Sequence, residues 1–245
     1  MKRIHILAGV ILILTSSFLI EYYTNSRFPT TALPLIGVPE LPIGETNEFT
    51  CIREMEQVGT YSYTVTGKSG GVYTMLSATD VSVEGKRLQL TSSFTFDEVY
   101  RPELYMLTVE QGEETNKFNV TFSGGNVTST LQFSNESVTL SEPFPDDAFL
   151  VENNMPGFWD ILLRSTEMKE GQRYKAQAYI PQGGTVFDLE FYVNEGTKPL
   201  TIDGDEYACT LIQESKLSLS FYMYKGELVQ MRDTGQDIIF QKIIG

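Results

Sequence analysis

A mainly β fold is expected: a strongly curved antiparallel sheet, half-barrel or two-layer, with one packed amphipathic helix, preceded by an N-terminal hydrophobic helix. Three observations predict it. From Glu54 to the C-terminus, short strand-like runs alternate with turns rich in Gly, Asn and Asp. One stretch, residues 153–164, breaks that rhythm with a helical period. Finally, about a dozen strands exceed what a flat open sheet usually holds, so curling or splitting into two layers follows.

The chain begins with Lys2 and Arg3 followed by the apolar run IHILAGVILILTSSFLI over residues 4–20, near the lower limit for a membrane span. Two readings of residues 1–23 stand, a signal anchor and a cleaved signal peptide. No small-x-small cleavage motif follows the run, and Tyr22 and Tyr23 suit an interfacial aromatic belt, which favours the anchor. No Cys closes the run, so lipoprotein attachment there has no support. The basic residues would hold the N-terminus in the cytoplasm. The expected location is membrane-anchored with the domain outside the cytoplasm, at the cell surface or in the periplasm; the alternative is secretion after cleavage. Residues 24–47 carry Pro29, Pro34, Pro39 and Pro42 and read as a stalk. Leu33, Leu35, Ile36, Val38 and Leu41 are too apolar for a pure spacer, so part of it can lie against the domain. Residues 48–245 form the exported antiparallel β domain.

Within that domain, residues 60–66 alternate as TYSYTVT and turn at Lys68-Ser69-Gly70-Gly71. Strands are expected over 72–83, 87–96, 104–109, 117–122, 127–133 and 137–140, with Pro143 and Pro145 ending the block. A second block is expected over 173–180, 185–193, 199–202, 207–213, 217–224, 228–232 and 238–243. The short, regular hairpin spacings point to antiparallel pairing. Between the blocks, Met155, Phe158, Trp159, Leu162 and Leu163 form an apolar stripe at helical spacing, with Asn154 as cap and Pro156 in the first turn. Trp159 is expected as a core plug. The functional alternative makes Phe158, Trp159 and Leu162 the lid of an apolar ligand site.

Charge and composition exclude more than they assign. The formal net charge is −14, and setting aside Lys2 and Arg3 leaves 16 basic against 32 acidic residues. Such a surface repels phosphate backbones, so no nucleic acid partner is expected. The lone histidine, His5, lies in the N-terminal run, which excludes Ser-His-Asp, Cys-His and His-ligated metal sites from the domain. No catalytic residue, cofactor or metal is therefore expected. The acidic cluster Asp203, Asp205 and Glu206 lacks EF-hand spacing and reads as a polar turn. Each Gly-Gly pair lies between strand-like runs, where a hairpin turn explains it better than a phosphate cradle does. Cys51 and Cys209 lie on the exported side, where a disulfide between them competes with two separate buried thiols. Asn119, Asn126 and Asn135 open N-x-Ser/Thr sequons and are glycosylation candidates.

The order VENNMPGFWDILLR, EGQRYKAQAYIPQ, DGDEYACTLIQ, LSFYMYKGELVQMRDTGQDIIFQKI resembles a family of uncharacterised exported β-rich domains. Over residues 50–243 the order of elements also resembles the half-barrel of LolA-like lipoprotein carriers. That resemblance implies a curved antiparallel sheet covered by helices over an apolar cavity, and it brings no catalytic residue. The chain departs from the carriers in having one clear helix and a membrane-proximal apolar segment. The expected function is non-catalytic: an envelope interaction or structural module, held at the membrane through residues 4–20. The alternative is a LolA-like carrier or binder of a lipid or other apolar ligand.

Overall fold

The computed structural model describes residues 30–244 except Glu84, Ser134, Asn135, Asn153 and Gln182. The N-terminal hydrophobic helix expected at residues 4–20 lies outside the described residues, among which no helix is long and apolar enough to cross a membrane. The first block runs β1 (Thr30–Ala32), β2 (Thr46–Arg53), β3 (Glu56–Ser69), β4 (Val72–Val83), β5 (Lys86–Asp97), β6 (Pro102–Gln111), β7 (Glu114–Ser123), β8 (Asn126–Phe133) and β9 (Glu136–Pro143). A short β10 (Ala148–Leu150) leads into the helix α1 (Pro156–Arg164). The second block runs β11 (Arg173–Ile180), β12 (Thr185–Val193), β13 (Lys198–Ile202), β14 (Asp205–Glu214), β15 (Leu219–Tyr224), β16 (Glu227–Asp233) and β17 (Ile238–Lys242).

Period-two alternation builds the sheet. Along β4 the side chains of Tyr73, Met75, Ser77, Thr79 and Val81 are buried, and those between them are exposed or half-buried. The same alternation puts Tyr61, Tyr63 and Val65 of β3 and Ser92, Phe94 and Phe96 of β5 on the inner face. All seventeen described strands join one curved, non-closed sheet. The two blocks do not stack as separate layers, because β17 pairs antiparallel with β2, Phe240 opposite Cys51. Neighbours are antiparallel except at one end, where β1 and β10 both run parallel to β11. The β3–β4 turn is made by Gly70 and Gly71, both at positive φ, where a side chain would be strained.

Three strands were not expected from the sequence: β1, β2 and β10. The first two lie in or next to the Pro-rich segment, and β10 has only three residues. Leu33 and Leu41 from that segment are buried in the core, and Leu33 donates its backbone N–H to the Lys175 carbonyl at 2.9 Å. From Thr30 onward, then, this segment packs on the domain.

The helix is inside the curve, not laid across it. Every residue from Pro156 to Leu163 is buried, including Asp160 on the side expected to be polar. A sheet curled around a helix leaves that helix no solvent face. Phe158 packs on Phe94 (ring centroids 5.0 Å apart) and Tyr105 (5.7 Å). On the other side, Trp159 packs on Phe221 (5.1 Å) and Phe191 (6.5 Å). Aromatic pairs of this kind are worth roughly 0.5–1.5 kcal/mol each beyond their burial.

Polar groups on and around the helix are largely matched. The cap is Met155, not Asn154, and it supplies no side-chain hydrogen bond. One first-turn donor is satisfied from the sheet, where Gly157 N–H bonds the Tyr61 hydroxyl at 3.0 Å. Asp160 accepts from the Tyr63 hydroxyl and from the Leu228 N–H (2.8 Å), with Arg164 at 3.6 Å. Tyr100 donates to the Phe158 carbonyl at 2.8 Å, and the Trp159 indole to the Glu152 carbonyl at 2.8 Å. The helix is thus hydrogen-bonded to β3, to β16 and to the β5–β6 turn.

The sheet's two ends approach without pairing. Ser129 of β8 and Tyr179 of β11 are joined by a side-chain hydrogen bond. Phe122, Phe144 and Tyr179 pack edge to face beside it, with Phe122 and Phe144 centroids 4.8 Å apart. Side chains close this seam where backbone hydrogen bonds do not.

Candidate functional site

With α1 filling the middle of the curve, the main apolar opening lies beyond the helix's N-terminal end. A pocket of about 500 Å³ is bounded there by inner-face residues of five neighbouring strands. Cys51 and Arg53 come from β2, Val58 from β3, Thr79 and Val81 from β4, Leu88 and Leu90 from β5, and Ile238 and Phe240 from β17. Ile180, the segment Glu152, Asn154 and Met155, and Gln236 complete it. Its size suits a small organic molecule.

Val58, Leu88, Leu90, Ile180 and Ile238 pack against the core on one side and are only half-buried, with the rest of their surface facing the pocket. Exposed Gln236 and half-buried Arg53 mark the mouth. Deeper in, Glu152 is 1% exposed. Its negative charge adds to burial in holding the Tyr105 hydroxyl well above the usual phenol range. Asn154 donates its amide N–H to Gln236 Oε1 at 3.2 Å, while its own Oδ1 has no partner. Thr79 Oγ1 is also buried and without a partner. Burial pushes the Cys51 thiol up to about 11, which keeps it protonated and a poor nucleophile at neutral pH.

The residues singled out from the sequence are placed as follows. Phe158, Trp159 and Leu162 are fully buried against the sheet, and none of them lines this pocket. The helix contributes through its cap residue, Met155. The disulfide candidate is corrected: Cys51 and Cys209 are both free. Cys51 faces the inner core, whereas Cys209 belongs to a separate small cluster with Leu200, Ile202 and Val229. Four strand steps part them in the sheet order, or ~19 Å at the usual strand spacing, far beyond disulfide reach. Asn119 and Asn126 are exposed on β7 and β8; Asn135 lies outside the described residues. Asp203 and Gly204 form the tight β13–β14 turn, both at positive φ. Among the described residues no group of three or more His, Cys, Asp or Glu could hold a metal ion.

Sequence reasoning missed Thr79, Glu152 and Asn154 as pocket residues. Two polar residues directly before a buried helix were the available signal, and a capping role absorbed it.

No family model matches the chain, and no curated protein matches it. Among solved structures, it is similar to a β-barrel-like protein of a domain of unknown function, DUF1849, from Brucella abortus. The TM-score is 0.51 at 10% identity, over 86% of this chain and 97% of that one. A DUF1089 family protein from Pseudomonas aeruginosa gives a TM-score of 0.40 at 12% identity, over 69% and 87%. The first likeness supports a β-rich, barrel-like fold; no link to LolA-like carriers appears in either.

Proposed function

We propose that this chain is an exported, membrane-held, non-catalytic β domain that binds a small apolar molecule in the pocket at the N-terminal end of α1. The observation that carries the reading is the pocket's wall. Five half-buried aliphatic side chains surround about 500 Å³ at the edge of the core. Leaving apolar surface facing an open volume forgoes burial worth roughly 25 cal/mol per Å², which an apolar occupant would recover. Export rests on the apolar run at residues 4–20 and its basic flank.

Cys51 lines the pocket and Cys209 does not, so each thiol reports separately. The purified chain is treated with a small maleimide at alkaline pH, with and without decanol, and alkylation is followed by peptide mass spectrometry. Slower alkylation of Cys51 with Cys209 unchanged is the expected result. If apolar additives alter neither thiol, or slow both alike, the pocket does not take up such molecules.

A second reading, the envelope interaction module, draws on β9. This edge strand exposes all eight of its residues, including Val138 and Leu140. A partner recovered from detergent-solubilised membranes that is lost with Val138→Lys/Leu140→Lys would favour it.

A further inference from the structure

We infer that the molecule taken up by this pocket is an amphiphile with a hydrocarbon body and a hydrogen-bond-donating, cationic head, of the primary alkylammonium class. This inference rests on the ligand-binding reading above and specifies its chemistry. The body follows from the aliphatic wall; the head follows from the polar atoms set into it.

Three oxygen-bearing groups lie on that wall. Thr79 Oγ1 and Asn154 Oδ1 are buried and have no hydrogen-bond partner in the protein. Asn154 donates one amide N–H to Gln236, and its Oδ1, which has no partner, is an acceptor. Glu152 contributes a carboxylate that is 1% exposed. The polar lining is therefore weighted toward acceptors and negative charge. Arg53, the one basic residue among those lining it, is half-buried at the mouth, with acidic Glu56 as its cross-strand neighbour. A pure hydrocarbon would leave two buried oxygens dry, which is unfavourable. A fatty carboxylate would bring like charge next to Glu152 in a poorly solvated space. An ammonium head supplies three donors and the opposite charge.

The test compares decylammonium, decanol and decanoate, which share a chain and differ in head, by their protection of Cys51 in the folded protein from methyl methanethiosulfonate, a thiol-selective reagent, at mildly alkaline pH where the alkylammonium keeps its proton. Decylammonium should protect at concentrations about tenfold lower than decanol, with decanoate weakest. Glu152→Gln should erase the preference of ammonium over alcohol and leave decanol's protection in place. Should that variant fail to fold, Asn154→Leu at the half-buried mouth tests the same point by weakening decylammonium more than decanol. Adsorption to a chain of net charge −14 is a separate effect, because it would not distinguish Cys51 from Cys209. Equal protection by all three, stronger protection by decanoate, or an unchanged preference in Glu152→Gln would overturn the head-group assignment while leaving the pocket reading intact. Absence of protection by any of the three would remove the pocket reading itself.

Discussion

Gly157→Ala sets helix propensity against packing, and the structure says which wins. On propensity alone, Ala within a helix is better than Gly by about 1 kcal/mol. A Cβ at position 157, however, would lie 2.6 Å from the Tyr61 hydroxyl oxygen and 2.7 and 2.8 Å from Tyr63 Cγ and Cδ1. Tyr61 and Tyr63 are both buried, and neither ring is free to swing away. Overpacking of this kind costs about 1–3 kcal/mol. Displacing Tyr61 also lengthens the hydrogen bond it accepts from the Gly157 N–H, worth about 0.5–1.5 kcal/mol. The balance is a net destabilisation of about 2 kcal/mol, or roughly 4–8 °C in Tm for a chain of this size. Urea unfolding followed by Trp159 emission measures it. Gly67→Ala is the control, since a Cβ there meets nothing within 4 Å and the backbone is not in the positive-φ region. Gly67→Ala should be neutral or slightly stabilising. If Gly157→Ala is as stable as the parent, α1 does not sit this tightly against β3.

Asp160 should give stability a pH dependence of definite sign. Burial, opposed by Arg164, Tyr63 and the Leu228 N–H, raises its folded pKa above 3.8. The folded state thus holds a proton that the unfolded state has already lost. This contribution is complete below the unfolded value and disappears as pH rises through the raised one. Subtracting the unfolding curves of Asp160→Asn from those of the parent should show it; a difference that grows with pH in that window would contradict the assignment. Trp159 emission should be blue-shifted and should not change when decanol fills the pocket, because the indole packs on Phe191 and Phe221 and is not in the wall. A ligand-dependent shift would restore the lid reading.

Much of the sheet was legible because its turns are well marked. The bounds expected for 72–83, 173–180 and 185–193 coincide with those of β4, β11 and β12, each having a Gly-containing turn at one end or both. The helix was legible as a helix, but its surroundings were not. A stripe of helical period says which face is apolar, and it cannot say that a second wall of Tyr63 and Leu228 meets the opposite face through Asp160. The pocket was illegible for a different reason. Cys51, Thr79, Leu88, Glu152 and Ile238 meet only because β17 pairs with β2, a contact between distant parts of the chain that no local pattern announces. The cysteines show the same limit: Cys209 and Ile212 are three residues apart on β14 and therefore point to opposite faces. Which of the two faces inward depends on the rest of the sheet.

The seam between β8 and β11 has a geometric consequence. A fully hydrogen-bonded barrel must return to its first strand in register, which ties strand number, tilt and shear together. Ser129, Tyr179, Phe122 and Phe144 impose no such integer condition. The strands at that margin can therefore change in length or number without shifting the registration of any other pair. The pocket lies well inside the sheet, on β17 and β2 to β5, so the circumference can vary while its wall stays constant.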